Sequence, residues 1–306
     1  GQFIGPERSP YPYYIKTLMP NYREFSDTRY FTSLLQVSQE RHLFPEDLIS
    51  PITLTFSGGQ TLRVGPLICE DSWDDNYPFK PMQYLHDNYP LDVFINISNS
   101  PFTLGKTQRR HRLFGKSIGQ FNVPALYVNC TGIQNNGKNI YTFDGASGAY
   151  GKDGSLHYEC PLFHEELAIL DFDETSHTFV SPQKQNPQEE EVADICHSLQ
   201  YGIRSFMENA GLSKVVLGVS GGIDSAVNAQ CLQLVYDQRP GTAAGRSYRL
   251  LLHSHTRPGQ SGTDAETIPG STTPAEWRRK RPSGTHQFHR RKYPGPGPFQ
   301  PYPGGG

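Results

Sequence analysis

The sequence predicts an α/β protein, and three observations lead to this fold class. At 306 residues the chain is long enough for about two domains. Short apolar runs typical of buried strands alternate with amphipathic helical segments over most of residues 1–238. Around residue 218 a strand, a glycine-rich turn and a helix follow one another directly. That succession is how a doubly wound parallel domain begins.

The first domain is expected to span residues 1–173. Its strands are predicted where short runs of β-branched and aromatic residues end in turns. These are residues 62–69, 91–97 and 125–129, with a closing strand at 167–172 and a turn-rich β region at 137–150. Helices are predicted at residues 81–88 and 106–121, the second because its apolar residues recur near a 3.6-residue period.

A polar linker with two prolines, residues 174–188, leads to the second domain, of which residues 189–238 are the expected start. Residues 189–209 predict an amphipathic helix, with acids in its first turn and Gly211 suited to its C-cap. A buried strand at 214–217 and a helix at 226–237 follow. So short a segment cannot form a parallel sheet covered on both faces, and the second domain is therefore expected to be truncated. The apolar stripe of the first helix comprises Val192, Ile195, Cys196, Leu199, Ile203 and Phe206.

Residues 239–306 differ sharply in composition from the rest of the chain. They contain eleven Lys and Arg against three Asp and Glu, although the whole chain carries a net charge of −2. Rich also in Pro and Gly, this segment is expected to be disordered, because it cannot bury enough apolar surface to offset its ordering entropy. An out-of-frame translation explains it better than a nucleic-acid-binding tail, although basic clusters near aromatics would suit phosphates and bases.

Composition also excludes several classes of protein. No apolar run approaches the roughly 18 residues of a membrane span, and no charged-then-apolar leader opens the chain. The five cysteines show no CxxC pairing, which argues against structural zinc or a disulfide framework. A reducing, cytoplasmic compartment is therefore expected.

The most informative motif is a glycine-rich turn between the predicted strand and helix. Its glycines let the backbone approach a phosphate, and free N–H groups at the helix start favour an anion. Asp224 is the acid placed to hold Mg²⁺ against those phosphates. An ordinary strand–helix turn is the alternative, disfavoured because two serines and the aspartate accompany the glycines. The predicted ATP-binding residues are Gly218, Val219, Ser220, Gly221, Gly222, Ile223, Asp224 and Ser225. The motif resembles the pyrophosphate loop of the ATP-pyrophosphatase superfamily.

A second motif lies in the first domain. Cys69 follows an apolar strand and precedes two acids, a position that suits an exposed nucleophile. Lys16, in Lys-Thr-Leu-Met-Pro-Asn-Tyr, is the candidate cation that would favour its thiolate. From composition alone, Cys69 would more often be a buried core cysteine and Lys16 a solvated surface lysine.

Residues 11–173 resemble the second half of a nitrilase-superfamily amidase, whose signature is Lys-x-x-x-Pro followed later by Cys-Glu-Asp/Asn. The resemblance implies an α-β-β-α sandwich, incomplete at its N-terminus, with Cys69 as nucleophile and Lys16 as the lysine of a Glu–Lys–Cys triad. The glutamate is expected before Lys16. Glu7 is the one acid there, and because its context does not fit, the general base is left unassigned and is expected to be missing.

An amidase followed by a pyrophosphate loop resembles the family of glutamine-dependent NAD synthetases. This resemblance implies Tyr22, Ser100 and Lys106 as glutamine-binding residues. It implies glutamine, nicotinate adenine dinucleotide and ATP as substrates, with Mg²⁺, and assembly into a homo-oligomer. The expected enzyme is a carbon–nitrogen ligase in which glutamine supplies ammonia and ATP adenylates the acid.

Other functions remain open on the sequence alone. A stand-alone nitrilase-type amidase would hydrolyse a small amide without nucleotide. A remnant without enzymatic activity could bind nucleic acid through the basic tail, although nucleic acid is not an expected partner. Activity of a chain with these boundaries is a separate question from its family.

Overall fold

The structure is a computed structural model that describes residues 2–6, 13–22, 25–135, 137, 139–187, 191–212, 215–237 and 250–254. All of them fall within one compact unit, residues 1–261. The helices are α1 (Asp27–Tyr30), α2 (Leu34–Arg41), α3 (Pro81–Asn88), α4 (Lys106–Phe121), α5 (Glu191–Asn209) and α6 (Ile223–Asp237). The strands are β1 (Gln2–Pro6), β2 (Ile52–Thr55), β3 (Thr61–Ile68), β4 (Val93–Ser98), β5 (Ala125–Asn129), β6 (Thr131–Asn135), β7 (Ile140–Asp144), β8 (Gly148–Tyr150), β9 (Leu156–Glu159), β10 (Phe172–Asp173), β11 (Thr178–Phe179), β12 (Val215–Val219) and β13 (Leu250–Ser254).

One seven-stranded sheet, in the order β1-β2-β3-β4-β5-β8-β9, organises the first part of the chain. Its centre is parallel: β3 pairs with β4 and β4 with β5. The outer pairs are antiparallel. The carboxyl ends of β3, β4 and β5 therefore meet at one edge of the sheet, and the predicted α/β class is confirmed.

The core lies between the central strands and the helices α3 and α4. Phe94 on β4 and Ala125 on β5 are fully buried in one cluster with Leu85 of α3 and Ile118 of α4. Alternate residues of the same strands point to the other face, where Ile97 is 63% exposed. This face of the sheet is only partly covered by the described residues.

Two glycines allow α4 to pack closely on the turn that follows β8. Gly154 has a φ of +82°, and a Cβ there would collide with the carbonyl oxygen of Gly115 on α4. A Cβ on Gly115 would in turn lie 2.6 Å from the carbonyl oxygen of Gly154. Only glycine fits this approach at either position.

Helix α5 confirms the predicted helix, but its buried face is not the predicted one. The apolar stripe is largely exposed, with Val192 at 67% and Leu199 at 47%. Ser198, Gln200 and Met207 are the buried residues instead. Helix α5 packs against the β6–β7 hairpin and α6, and these contacts leave most of the stripe exposed. Gly211, at φ +66°, follows the helix end as predicted, and its N–H donates to the carbonyl of Glu208 at 3.1 Å.

Four further expectations need correction. Residues 167–171 form no strand, since β10 holds only Phe172–Asp173 and Leu167 is 91% exposed. The strand predicted to be buried near residue 215 is β12, in which Val216 is 69% exposed because β13 is its one neighbour among the described strands. Helix α6 begins at Ile223, three residues earlier than predicted. Five residues of the expected disordered tail form β13, which pairs in parallel with β12.

No helix in the described part of the chain is long and apolar enough to cross a membrane. All five cysteines are free thiols.

Candidate active site

The candidate site lies where the three parallel strands end. Cys69 follows β3, Ser98 closes β4 and Asn129 closes β5. Parallel strands bring their carboxyl ends to one edge, which is where α/β sheets commonly place functional residues. The residue range Cys69–Ser72 forms a short 3-10 turn there.

Cys69 occupies a left-handed backbone conformation with φ 49°, which is costly for a residue with a side chain. Its carbonyl is fixed by two donors: Asn96 Nδ2 at 3.1 Å and Ser72 Oγ at 3.1 Å. Asn96 also donates to Ser72 Oγ at 2.8 Å. These bonds hold the turn that presents the thiol at the strand end.

Burial raises the pKa of the Cys69 thiol above its usual value. The charge of Lys16 is the main opposing influence, and a hydrogen bond with Ser98 also lowers this pKa. Burial prevails, so the thiol is held mainly in its protonated form at neutral pH. Attack by Cys69 therefore needs a base to take its proton.

Lys16 is partly buried and forms an ion pair through Nζ with Asp27 Oδ2 at 2.6 Å. Asp27 opens α1 and was not singled out in the sequence, where it is one acid among many. The pair fixes the ammonium group of Lys16, whose charge acts on the Cys69 thiol. The predicted roles of Lys16 and Cys69 stay predictions.

Two acids that follow the cysteine were also missed as site residues. Glu70 is 6% exposed and accepts hydrogen bonds from Tyr22 Oη at 3.1 Å and Tyr77 Oη at 2.9 Å. Burial raises its pKa, while these hydroxyls and the charges of Lys16 and Lys106 lower it. The signal that could have found Glu70 is its position directly after the nucleophile candidate.

Asp71, the second of these acids, is fully buried. It accepts hydrogen bonds from the backbone N–H groups of Thr17, Leu18 and Ile68 and from Tyr14 Oη. Burial raises the pKa of Asp71 to about 6, against the effect of those donors. Its carboxylate is thus occupied by the chain's own donors rather than offered to a substrate.

The three predicted glutamine-binding residues differ from one another in their surroundings. The hydroxyl of Tyr22 reaches Glu70, as described above. Lys106, the first residue of α4, donates from Nζ to the carbonyl of Pro101 at 3.0 Å and lies 6.0 Å from the ring centroid of Phe25. Ser100 is only 3% exposed, and its N–H donates to Asn129 Oδ1 at 2.9 Å. Tyr22 and Lys106 thus lie around Glu70, whereas Ser100 is anchored by its main chain.

The general base expected before Lys16 stays unassigned. Glu7 lies outside the described residues.

The glycine-rich turn, residues 218–225, joins β12 to α6. Gly221 adopts φ +85°, and a Cβ on Gly218 or Gly221 would meet open space. Ser225 Oγ donates to the carbonyl of Gly222 at 2.9 Å, and the two serine hydroxyls lie 3.3 Å apart. The turn is thus open to solvent at a helix N-terminus, as an anion site requires.

Asp224 lies exposed in the first turn of α6. One carboxylate with two serine hydroxyls offers oxygen ligands of the kind Mg²⁺ prefers when phosphates complete its shell. No group of three or more His, Cys, Asp or Glu among the described residues could hold a metal ion alone. The residues present therefore fit a metal brought with its nucleotide.

Comparison with known proteins places this site in context. Residues 195–268 match the family model of NAD synthase, a range that includes the glycine-rich turn. Two relatives named glutamine-dependent NAD(+) synthetase, from Synechocystis sp. and Acinetobacter baylyi, are 31% and 32% identical to the chain, each over 70% of it. The chain spans 36% and 35% of their lengths.

One solved structure supports the same relationship. The glutamine-dependent NAD+ synthetase from Acinetobacter baumannii, in complex with adenosine diphosphate, superposes with a TM-score of 0.60 at 26% identity. The match covers 78% of this chain and 39% of that protein. The fold similarity therefore includes most of the chain.

Proposed function

The chain is a homologue of the glutamine-dependent NAD(+) synthetases, and from this premise we propose that it carries glutamine-hydrolysing chemistry at Cys69 and the start of an ATP-dependent amidation site. The observation that carries the proposal is the meeting of Cys69, Lys16 and Glu70 at the edge of the parallel strands. A cytoplasmic location and assembly into a homo-oligomer belong to the same proposal.

In the proposed reaction the Cys69 sulfur attacks the side-chain amide carbon of glutamine. The C–N bond then breaks, a proton joins the leaving nitrogen, and ammonia departs from a thioester that water hydrolyses to glutamate. Lys16 stabilises the negative charge that develops on the amide oxygen, because its ammonium group is held in a partly buried position by Asp27.

Recognition of glutamine rests on its α-ammonium and α-carboxylate groups. Glu70, oriented by the hydroxyls of Tyr22 and Tyr77, is suited to accept from the ammonium. Lys106 supplies the opposite charge for the carboxylate. Two charged groups fixed at a set separation would distinguish a free amino acid from a simple amide.

The residues of the glycine-rich turn are proposed to bind ATP. Their backbone N–H groups would hold its phosphates, and Asp224 with the serine hydroxyls would hold Mg²⁺, which neutralises phosphate charge when bound. ATP would adenylate the carboxylate of nicotinate adenine dinucleotide, releasing pyrophosphate, and ammonia would displace AMP to form the amide.

A chloroketone carrying the α-amino and α-carboxylate groups of glutamine tests the first half of the proposal. We expect it to alkylate Cys69 selectively, because binding holds its reactive carbon at the thiol, and we expect glutamine to protect. Peptide mapping by mass spectrometry measures modification at each cysteine. The exposed Cys130 serves as the internal reference for unassisted reaction.

Two variants sharpen this result. Cys69→Ser should remove the fast modification, and Glu70→Gln should weaken glutamine protection while Cys130 reacts as before. Equal modification of Cys69 and Cys130, unaffected by glutamine, would contradict the proposed glutamine site.

Nucleotide binding tests the second half. Calorimetric titration of the chain with ATP is expected to show binding that strengthens with Mg²⁺, and Asp224→Asn should remove the Mg²⁺ effect because it removes the metal's carboxylate ligand. Glu174→Gln, at an exposed acid of the first part of the chain, is the charge-matched control. Cysteine capture without any nucleotide binding would instead favour the stand-alone amidase.

A further inference from the structure

Asp71 joins the two segments that carry Lys16 and Cys69. Its Oδ1 accepts from the N–H groups of Thr17 at 3.1 Å and Leu18 at 2.8 Å. Its Oδ2 accepts from the N–H of Ile68 at 3.0 Å and from Tyr14 Oη at 3.2 Å. Thr17 is the neighbour of Lys16 in the chain, and Ile68 is the neighbour of Cys69.

The chemistry of these contacts suits an ionised carboxylate. All four partners are donors, and three of them are backbone groups that cannot reverse their role. An ionised carboxylate has only acceptor sites, so it satisfies every partner at once. The donors to Asp71 come from both segments. A buried acid that binds both fixes their spacing more strictly than apolar packing would.

We propose that Asp71 is a positioning residue that sets the distance between the ammonium group of Lys16 and the thiol of Cys69. The inference rests on the proposed function for the roles of those two groups. Asp71 itself touches no reacting atom. Its effect passes through Ile68 and Thr17, each one residue from a group of the site.

Asp71→Asn is the variant that tests this, because it keeps the size of the side chain and changes one oxygen to an amide. The remaining oxygen can still accept from Thr17 and Leu18, but the new N–H₂ group then faces the N–H of Ile68. Two donors opposed in a buried place force the segments apart. The ammonium of Lys16 moves away from the thiol, and the thiolate is less favoured.

The readout is the rate of Cys69 alkylation by iodoacetamide as a function of pH, with each cysteine followed by peptide mapping. We expect the midpoint of this profile to move to higher pH in Asp71→Asn, with roughly tenfold slower reaction at neutral pH. The direction of the midpoint shift distinguishes loss of positioning from loss of charge. Loss of a negative charge alone would favour the thiolate and move the midpoint to lower pH.

Asp92→Asn is the matched control. Asp92 Oδ2 accepts from the N–H of Arg63 at 2.6 Å, at the opposite end of the strands β3 and β4. This variant also removes a carboxylate bound to a backbone amide, but we expect it to leave the Cys69 profile unchanged. An unchanged or downward midpoint in Asp71→Asn, or an equal shift in both variants, would overturn the inference.

Should Asp71→Asn not fold, Tyr14→Phe decides the question, since it removes one donor to Oδ2 without changing charge. An upward shift supports positioning by Asp71, and an unchanged profile overturns it. The alkylation readout needs no glutamine. Failure of chloroketone capture together with an upward shift would therefore remove the proposed function and leave the positioning effect intact.

Discussion

Replacing Arg110 with methionine is expected to lower the free energy of unfolding by about 3–5 kcal/mol. Arg110 and Asp144 are both fully buried, and Arg110 Nη2 lies 3.5 Å from Asp144 Oδ2. The guanidinium group also stacks over the ring of Tyr127 at 4.7 Å. Methionine fills much of the space but leaves the carboxylate of Asp144 buried without its counter-charge, which is the main cause of the loss.

The destabilisation caused by Arg110→Met is expected to extend to the candidate site through Asn129. Its side-chain amide donates to Asp144 Oδ1 at 3.0 Å and to the carbonyls of Gly145 and Ser100 at 3.0 and 3.3 Å. Thr107 Oγ1 also donates to Asp144 Oδ2 at 3.0 Å. A displaced Asp144 would therefore loosen the segment that carries Ser100.

Urea unfolding of the purified chain measures this effect. Arg112→Met, at an exposed arginine two positions along the same helix, is the control and should change stability little. The double variant Arg110→Met with Asp144→Asn should recover part of the loss, since no uncompensated charge remains. Equal unfolding midpoints for the two single variants would show that the buried pair does not stabilise the fold.

Local sequence patterns predicted the elements whose burial follows from their own periodicity. The predicted bounds of α3, α4 and β5 agree with the structure. In α4 the apolar residues Phe114 and Ile118 occupy one helix face and are buried there. A helix or strand that buries its most apolar face can be predicted from the sequence alone.

The failures concern elements whose packing depends on other parts of the chain. The apolar runs of residues 167–171 and of β12 were expected to form strands, the second of them buried, but Leu167 and Val216 are exposed. An apolar run specifies only that burial would be favourable. Whether a covering surface exists is decided by distant segments, so apolar patterns in α4 and β12 had different outcomes.

The residues of the candidate site also fall into two groups, those predicted from local motifs and those that depend on distant contacts. Lys16, Cys69 and Tyr22 were predicted as site residues because they belong to short motifs. Asp27 was missed because no motif indicates its ion pair with Lys16. Asp71 was missed because its hydrogen bonds join segments that are far apart in the chain. Asp71 lies 54 residues from Thr17, to whose N–H it is bonded. No local spacing rule indicates such a contact.

Lys16→Met is expected to raise the pKa of the Cys69 thiol further above its usual value. The charge of Lys16 is the largest influence that lowers this pKa against the effect of burial. A nearby opposite charge typically changes a pKa by about 1–3 units, so reaction with iodoacetamide at neutral pH should slow by about tenfold or more. The sign follows because only the thiolate reacts, and removing a cation disfavours it.

The measurement is the pH profile of Cys69 alkylation, with Lys152→Met as the control. Lys152 donates to the carbonyl of Ser176 at 3.1 Å, and its charge is not among the influences on Cys69. Because Asp27 loses its partner in Lys16→Met, its free negative charge should add to the upward shift. Overlapping profiles for the wild-type chain and Lys16→Met would mean that Lys16 does not act on the thiol. Capture of Cys69 by the glutamine-like chloroketone should slow in parallel, since both reactions draw on the same thiolate.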